Sequence, residues 1–206
     1  MTATRSNSSR ERILSTAEAI ILENGYAGTT IEEIIEKAAI TKSGFFYHFA
    51  GKMELARALI ERYIVMDTEV FDELGNRADS LSEDPLQRLL IFLNLFGEMI
   101  AGMTDLHPGC LAAAFTYESQ QFDEAIRERI STGMLGWREI IAKRLEEIVA
   151  KYPPDRELNI ESLADMFSST IEGGILLARI HNKNQIIIDQ VQNYRTHLRY
   201  LFDDID

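Results

Sequence analysis

Cysteine, proline and glycine are scarce in this chain. It has one cysteine, Cys110, four prolines and 12 glycines among 206 residues. A single cysteine excludes an internal disulfide and is typical of a reducing compartment, so we expect a cytoplasmic protein. Because helix breakers are few and no strand-like alternation of apolar and polar residues is sustained, the sequence predicts an all-α fold.

Long apolar runs are absent as well. No run reaches the roughly 18 apolar residues that a membrane-spanning helix needs. The N-terminus, M-T-A-T-R-S-N-S-S-R, is polar and lacks the pattern of a signal peptide. These two absences predict a protein without a membrane partner.

Motifs of catalysis and cofactor binding are also missing. The sequence has no phosphate-binding glycine loop, no paired metal-ligand spacing and no nucleophile elbow. His107 and Cys110 are the one pair that could be reactive. A helix N-terminus and a protonated histidine would both lower the pKa of the thiol, although a buried structural cysteine beside a turn histidine is the alternative. We predict no catalytic residue, no metal and no cofactor.

Negative charge dominates the chain, but it is unevenly distributed. The formal net charge is −12, with 33 acidic and 21 basic residues. Residues 1–52 carry six of each sign, so the whole excess falls in residues 53–206. An acidic body repels nucleic acid, whereas a neutral head does not. The distribution therefore predicts that any DNA contact is restricted to the N-terminal head.

Two short predicted helices with a tight turn between them lie in that head. Thr30 is a suitable N-cap, and Glu33 three residues later completes a capping box. Thr41 can cap a second helix that runs from about Lys42 to Phe49. The first turn of this helix, Lys-Ser-Gly, is small, polar or cationic. In a helix-turn-helix such a second helix enters the major groove of DNA by its N-terminal residues.

Charge and aromatic residues also distinguish this segment. Between residues 37 and 53 there are three lysines and a histidine but no carboxylate. Phe45 and Phe49 are four residues apart, so we expect both to pack inward. Tyr47 and His48 stand near lysines, and for these two both phosphate contact and core packing are open.

The segment from about residue 10 to residue 55 resembles the DNA-binding domain of the TetR family of bacterial transcriptional regulators. The matching residues are Gly25-Tyr26, Thr29-Thr30, Thr41-Lys42-Ser43-Gly44, Tyr47-His48-Phe49, Lys52 and Glu54-Leu55. The resemblance implies a helix-turn-helix domain over residues 1–52 and a helical effector-binding and dimerisation domain over residues 53–206. It also implies DNA contacts by Thr30, Thr41, Lys42, Ser43, Gly44, Phe46, Tyr47, His48 and Lys52. The family usually has glycine in the turn where this chain has Ala39, and a left-handed alanine costs about 1 kcal/mol.

Helical periodicity continues through the body. We predict helices over residues 51–76, from Pro85 to a break at residues 107–109, and over 110–119, 122–151, 160–180 and 183–202. In the last of these, apolar residues repeat in steps of four and three: Ile187, Val191, Tyr194, Leu198, Leu201 and Ile205. Such a heptad seam forms either intrachain core or a dimer contact. A dimer is favoured because two heads on a symmetric dimer read a palindrome, and the resemblance implies it too.

Aromatic and methionine residues concentrate in the middle of the body. Such side chains are usually core, but the resemblance implies a small-molecule effector pocket in this region. The candidate pocket residues are Phe92, Phe96, Met99, Met103, Cys110, Phe115, Met134, Trp137 and Phe167.

Together these features predict a homodimeric DNA-binding regulator, a repressor that an effector releases from a palindromic operator in double-stranded DNA. The alternative is a small helical enzyme or carrier that uses the apolar cavity and Cys110, with the N-terminal helices as a structural cap. The lysine-containing stretch without carboxylates favours the regulator, because a structural cap does not need it.

Overall fold

The computed structural model describes residues 2–155 and 157–202, with the backbone alone for residues 2–8. Throughout this part of the chain the regular secondary structure is helical, which confirms the predicted all-α fold. The helices are α1 (Thr2–Gly28), α2 (Ile31–Lys37), α3 (Lys42–His48), α4 (Lys52–Leu81), α5 (Pro85–Ala101), α6 (Leu111–Tyr117), α7 (Glu124–Lys151), α8 (Ile160–His181) and α9 (Gln185–Phe202), with a 3-10 turn at Ser119–Gln121. None of these described helices is long and apolar enough to cross a membrane.

Side-chain caps explain two helix starts that differ from the predicted ones. α6 begins at Leu111 because Cys110 is its N-cap, with Sγ 3.3 Å from the Ala113 N–H. α7 begins at Glu124 rather than at residue 122 because the Asp123 carboxylate accepts from the Ile126 N–H at 3.1 Å. α4 continues to Leu81, beyond the predicted end at residue 76.

The chain divides into two compact units. The first comprises Met1–Met66 and Pro108–Thr132, and the second comprises Asp67–His107 and Gly133–Asp206. Helices α4 and α7 each run from one unit into the other. The predicted functional boundary at residue 52 separates head from body and stays a prediction.

In the first unit, α1 packs against α2, α3 and α6. Three buried aromatic rings join α1 to residues 115–123, here called the α6–α7 corner. The Tyr26 ring centroid lies 5.7 Å from that of Phe115 and 4.5 Å from that of Phe122. The Arg62 guanidinium of α4 donates to Glu11 and Glu18 of α1. The helix-turn-helix segment therefore rests on a core that includes Phe115 of α6 and Phe122, which lies just before α7.

In the second unit, α9 packs against α8 and α5. Gly174 allows the close approach of α8 and α9, since a Cβ on it would lie 3.2 Å from the Ile187 Cα. The core is rich in aromatic rings: Phe71 lies 5.8–6.3 Å, centroid to centroid, from each of Phe92, Phe96, Trp137 and Phe167.

The heptad seam predicted as a dimer contact lies inside the chain. Four of its members are at most 1% exposed: Ile187, Val191, Tyr194 and Leu198. The Tyr194 hydroxyl donates to the Leu163 carbonyl at 2.9 Å, Leu201 is half-buried, and Ile205 lies outside the described residues. The assignment of the four buried residues to a dimer contact is corrected, because they leave almost no surface for a partner. Their spacing marks the packing of α9 within its own chain.

Candidate nucleic-acid interface

Helix α2 begins at the N-cap that its sequence predicts. Thr30 is the N-cap, with its hydroxyl accepting from the Glu33 N–H at 3.1 Å. The Glu33 carboxylate pairs with Lys37 one turn later at 3.0 Å. Glu32 and Glu33 in the first turn and Lys37 in the last turn also complement the helix dipole.

The turn after α2 is a left-handed helix end. The Ile40 N–H donates to the Ile35 carbonyl at 3.2 Å, and the Ala39 N–H donates to the Glu36 carbonyl at 3.1 Å. These two bonds form a Schellman motif, in which the residue after the C-cap adopts a left-handed conformation. Ala39 has a φ of 51° and occupies this position. The turn predicted to be strained by alanine therefore has the same backbone shape that glycine would give it.

Helix α3 follows at once and is capped by Thr41. The Thr41 hydroxyl accepts from the Gly44 N–H at 3.0 Å and lies 3.1 Å from the Ser43 hydroxyl. Phe45 and Phe49 are at most 2% exposed, as predicted, and anchor the helix to the unit's core. The helix ends at His48 because Phe49, its C-cap, is already extended.

The opposite side of α3 is presented to solvent. The Tyr47 ring is 77% exposed, Phe46 is 45% exposed, and the Lys42 side chain is 70% exposed. His48 is half-buried, with its ring 4.9 Å from that of Tyr47. Of the other predicted contacts, Thr30, Thr41 and Ser43 are exposed and Gly44 is half-buried. A cation, hydroxyl groups and a phenol thus line one short exposed helix, which suits it to phosphates and base edges.

Lys52 is placed differently from the other predicted contacts. Its ammonium donates to the Tyr26 carbonyl and lies 4.1 Å from the centroid of the Tyr26 ring. Burial lowers the pKa of Lys52, while the nearby Glu118 carboxylate opposes that change. The ammonium thus has partners within its own unit, and its contact with phosphate stays a prediction.

Comparison with protein families accounts for most of the chain. Residues 13–59 match the family described as "Bacterial regulatory proteins, tetR family", and residues 85–193 match "Tetracyclin repressor-like, C-terminal domain". The chain belongs to the TetR family. It is accordingly a DNA-binding transcriptional regulator and not an enzyme, which confirms the resemblance seen in residues 10–55.

Similar proteins align over nearly the full length of this TetR-family chain. The transcriptional repressor DhaR of Mycobacterium sp. strain GP1 is 24% identical over 185 residues, covering 88% of this chain and 87% of DhaR. The transcriptional regulator LmrA of Bacillus subtilis is 27% identical over 174 residues, covering 82% of this chain and 86% of LmrA. A TetR transcriptional regulator from Chloroflexus aurantiacus has a crystal structure with a TM-score of 0.80 at 25% identity, covering 97% of this chain and 98% of that one.

The predicted effector-pocket residues fall into several environments. Phe92, Phe96, Trp137 and Phe167 meet in the aromatic cluster of the second unit. Phe115 and Cys110 are buried in the first unit. Met99 is 37% exposed, whereas Met103 and Met134 are half-buried. Of the predicted pocket residues, the four in the aromatic cluster of the second unit are therefore the ones that lie together.

The second unit also has an open cavity of about 690 Å³ that the sequence analysis missed. Its lining residues come from the segment just before α8, the first half of α8 and the end of α9: Leu158, Asn159, Ser162, Leu163, Asp165, Met166, Ser169, His197 and Leu201. The carboxylate of Asp165, one of these residues, accepts from Arg138 Nε at 2.6 Å and from Arg138 Nη2 at 2.7 Å. Helical spacing places Ser162, Asp165 and Ser169 on one face, but that spacing does not distinguish a cavity wall from ordinary surface.

Cys110 has a structural role as a helix cap. It is 6% exposed, and its Sγ accepts from the Tyr63 hydroxyl at 3.2 Å as well as from the Ala113 N–H. Burial lowers the pKa of His107, and Arg179 lowers it further. That shift disfavours the protonated imidazole that would lower the pKa of the Cys110 thiol. Reactivity of the His107 and Cys110 pair stays a prediction.

Proposed function

We propose that this chain is a homodimeric repressor that binds a palindromic operator and is released from it by a small-molecule effector. DNA recognition is supported by the exposed face of α3, which presents Lys42, Ser43 and Tyr47. Residues 37–53 contain no carboxylate, although the Lys42 ammonium lies 3.8 Å from the carboxylate of Glu32 in α2. A repressor role is supported by the similar protein DhaR, which is described as a transcriptional repressor.

The proposed dimer contact is the outward face of α8. Apolar side chains there are 39–64% exposed: Met166, Leu176, Leu177 and Ile180. Gly173 lies on the same face, and a Cβ on it would meet nothing within 4 Å. The steps between Met166, Gly173 and Ile180 are seven residues, which keeps one seam along the helix. A second copy would cover this seam by the same face, as a two-fold interface requires.

Two recognition helices on such a dimer would read two half-sites. Consecutive major grooves on one side of DNA lie about 34 Å apart, so the separation of the two α3 helices decides the affinity. Helix α4 runs from the unit that holds α3 into the unit that holds the aromatic cluster. An effector that alters the course of α4 would change that separation and weaken binding.

We place the effector at the aromatic cluster around Phe71. The cluster offers apolar faces from α4, α5, α7 and α8. Trp137, which is the only tryptophan of the chain, is 8% exposed and lies within it. Titration of candidate apolar compounds should therefore change the intrinsic fluorescence of Trp137. Binding that leaves this signal unchanged would move the effector site elsewhere, with the α8–α9 cavity as the next place to test.

The deciding experiment is selection of duplexes from a random double-stranded DNA library with the purified full-length protein. We expect an enriched sequence with two-fold symmetry and two chains per duplex. An enriched sequence without symmetry would contradict the palindrome, and a lack of any enrichment would contradict DNA recognition by α3.

A further inference from the structure

A break in α1 leaves two backbone N–H groups that bond outside the helix. Gly25 has φ 77° and ψ 163°, which are not helical values. The next two N–H groups donate to one carboxylate: Tyr26 to Glu118 Oε1 at 2.6 Å, and Ala27 to Glu118 Oε2 at 2.7 Å. Hydrogen bonds to a charged acceptor are shorter and stronger than neutral ones. Glu118 therefore holds the end of α1 with both of its oxygens.

The position of Glu118 follows from the end of α6. Its backbone, with φ −107° and ψ 27°, leaves the helix after Tyr117 and starts the 3-10 turn. Gly25 leaves room for the Glu118 carboxylate, because a Cβ at residue 25 would lie 2.7 Å from Glu118 Oε1. A side chain at residue 25 would thus strain the backbone and also meet the carboxylate.

Further contacts surround this carboxylate. The Tyr26 ring is 5% exposed between Phe115, Phe122 and the Lys52 ammonium. Burial raises the pKa of Tyr26, and the negative charges of Glu118 and Asp123 raise it further. Asp123 also pairs with Arg57 of α4. The α6–α7 corner therefore contacts both the end of α1 and the start of α4 through acidic side chains.

The segment held by Glu118 leads directly into the helix-turn-helix. The Thr29 hydroxyl donates to the Gly25 carbonyl at 2.7 Å, and Thr29 is 1% exposed. Thr30, the next residue, caps α2. Residues 25–30 thus set where α2 begins, and α2 with its turn sets where α3 begins.

We propose that Glu118 is a positioning residue for DNA recognition. Its carboxylate joins the α6–α7 corner to the segment that starts the helix-turn-helix, so that a change in residues 111–123 alters the placement of α3. The proposal rests on DNA recognition by α3. It assigns to Glu118 no contact with DNA.

The test compares Glu118→Gln with Glu128→Gln. Glu128 is exposed on α7 in the same unit, and both substitutions remove one negative charge. Loss of negative charge alone should leave DNA binding unchanged or tighten it. Loss of the positioning contact should weaken DNA binding. The two explanations therefore predict changes of DNA affinity in opposite directions, or a change against none. For Glu118→Gln we expect about tenfold weaker binding to the selected duplex, a typical size for coupling between sites.

Amide hydrogen exchange gives a second measurement that does not need DNA. In Glu118→Gln the Tyr26 and Ala27 amides should exchange at least about tenfold faster than in the wild type, while the Tyr194 amide in α9 should not change. Glu118→Asp keeps the charge but shortens the side chain, and it should show the same pattern relative to Glu128→Asp. If Glu118→Gln does not fold, the comparison of Glu118→Asp with Glu128→Asp tests the proposal instead.

Each outcome decides a different point. Duplex affinity in the Glu118 variants equal to that of the Glu128 controls would overturn the positioning role. Unchanged protection of the Tyr26 and Ala27 amides would overturn the contact itself. A wild type that selects no duplex would count against the proposed function, and the exchange measurement would still decide whether the carboxylate holds the end of α1.

Discussion

At the scale of single residues, Ala39 is the clearest case of a residue type that is disfavoured in the backbone conformation it adopts. The Schellman motif after α2 requires a left-handed residue, and the φ of Ala39 is 51°. Alanine in this conformation costs about 1–2 kcal/mol because its Cβ crowds the following carbonyl. The chain forms the turn nonetheless, because Ile34 and Phe45 on either side are fully buried.

Replacing Ala39 with glycine should therefore stabilise the fold. Glycine removes the steric cost but adds about 0.5–1 kcal/mol of chain entropy in the unfolded state, so we expect a net gain of about 0.5–1 kcal/mol in the free energy of unfolding. Urea denaturation would measure it. Ala38→Gly is the matched control, because Ala38 has a right-handed φ of −77° and should lose stability instead. A loss of stability in both variants would contradict strain at Ala39.

The exposed side of α3 supplies the second residue-scale prediction. Lys42→Ala and Tyr47→Ala should weaken binding to the selected duplex without changing the free energy of unfolding, because both side chains are largely exposed. A lost base contact costs about 1–3 kcal/mol, and we expect Lys42 to cost more than Tyr47. Fluorescence anisotropy with labelled duplex measures both.

Lys183→Ala is the control for charge, since Lys183 is exposed in the second unit and its loss changes the net charge equally. If Lys42→Ala were no weaker than Lys183→Ala, the assignment of α3 as the recognition helix would fail.

At the scale of elements, α5 shows how a cap joins one helix to another. Asp84 is its N-cap and accepts from the Gln87 N–H at 2.9 Å. The same carboxylate receives the Lys151 ammonium at 2.7 Å and the Tyr152 hydroxyl from the end of α7. Burial alone would raise the pKa of Asp84, but these three hydrogen bonds outweigh it and hold the pKa at about 2.

This lowered pKa predicts a dependence of stability on pH. Because the folded-state pKa lies below the ordinary value of 3.8, the ionised carboxylate stabilises the fold above about pH 4. The contribution is lost as the pH falls towards 2. Asp84→Asn keeps a capping oxygen but not the charge, so it should cost about 1 kcal/mol at pH 7 and progressively less below pH 4.

Chemical denaturation at several pH values would measure this difference. Asp72→Asn, which removes one negative charge at an exposed position of α4, is the control variant. A cost for Asp84→Asn that stays constant down to pH 2.5 would contradict the lowered pKa.

At the scale of the whole molecule, the assembly depends on which face of α8 remains open. The inward face approaches α9 through Gly174, and the outward face exposes Leu176 and Ile180. Leu198, which the heptad pattern suggested as a dimer residue, is 0% exposed. Leu198→Glu should accordingly unfold the chain instead of separating two copies, because a carboxylate there would be buried without a partner.

Leu176→Glu should give a folded monomer. The substitution places a charge in the proposed α8 seam, where Leu176 is 59% exposed in the single chain. Sedimentation velocity at micromolar concentration would report the assembly, and circular dichroism would report the fold. Operator affinity should fall with the dimer, although α3 is untouched.

Leu81→Glu is the matched control, because Leu81 is 61% exposed on α4 in the same unit and should leave a dimer intact. A dimeric Leu176→Glu variant, or a monomeric wild type, would contradict the proposed seam.

The amino-acid sequence by itself determined the local features of this protein. The caps of α2 and α3, the inward packing of Phe45 and Phe49 and the all-helical class all follow from side chains and backbone groups a few residues apart. The TetR-type head was identifiable for the same reason, since the residues that match the family lie within one short stretch, residues 25–55. Interactions over such short separations are readable as patterns of spacing and residue type.

Tertiary structure alone decided which faces meet. The steps of four and three in α9 are the same for an intrachain core and a dimer seam, so the pattern could not distinguish them. Gathering Phe92, Phe96, Trp137 and Phe167 in one cluster, with Phe115 in the other unit, depends on how distant helices pack. The hydrogen bond from the Tyr26 N–H to the Glu118 carboxylate joins residues 92 positions apart, and no local pattern marks it. These features arise because burial and hydrogen bonding act between elements that only the folded chain brings together.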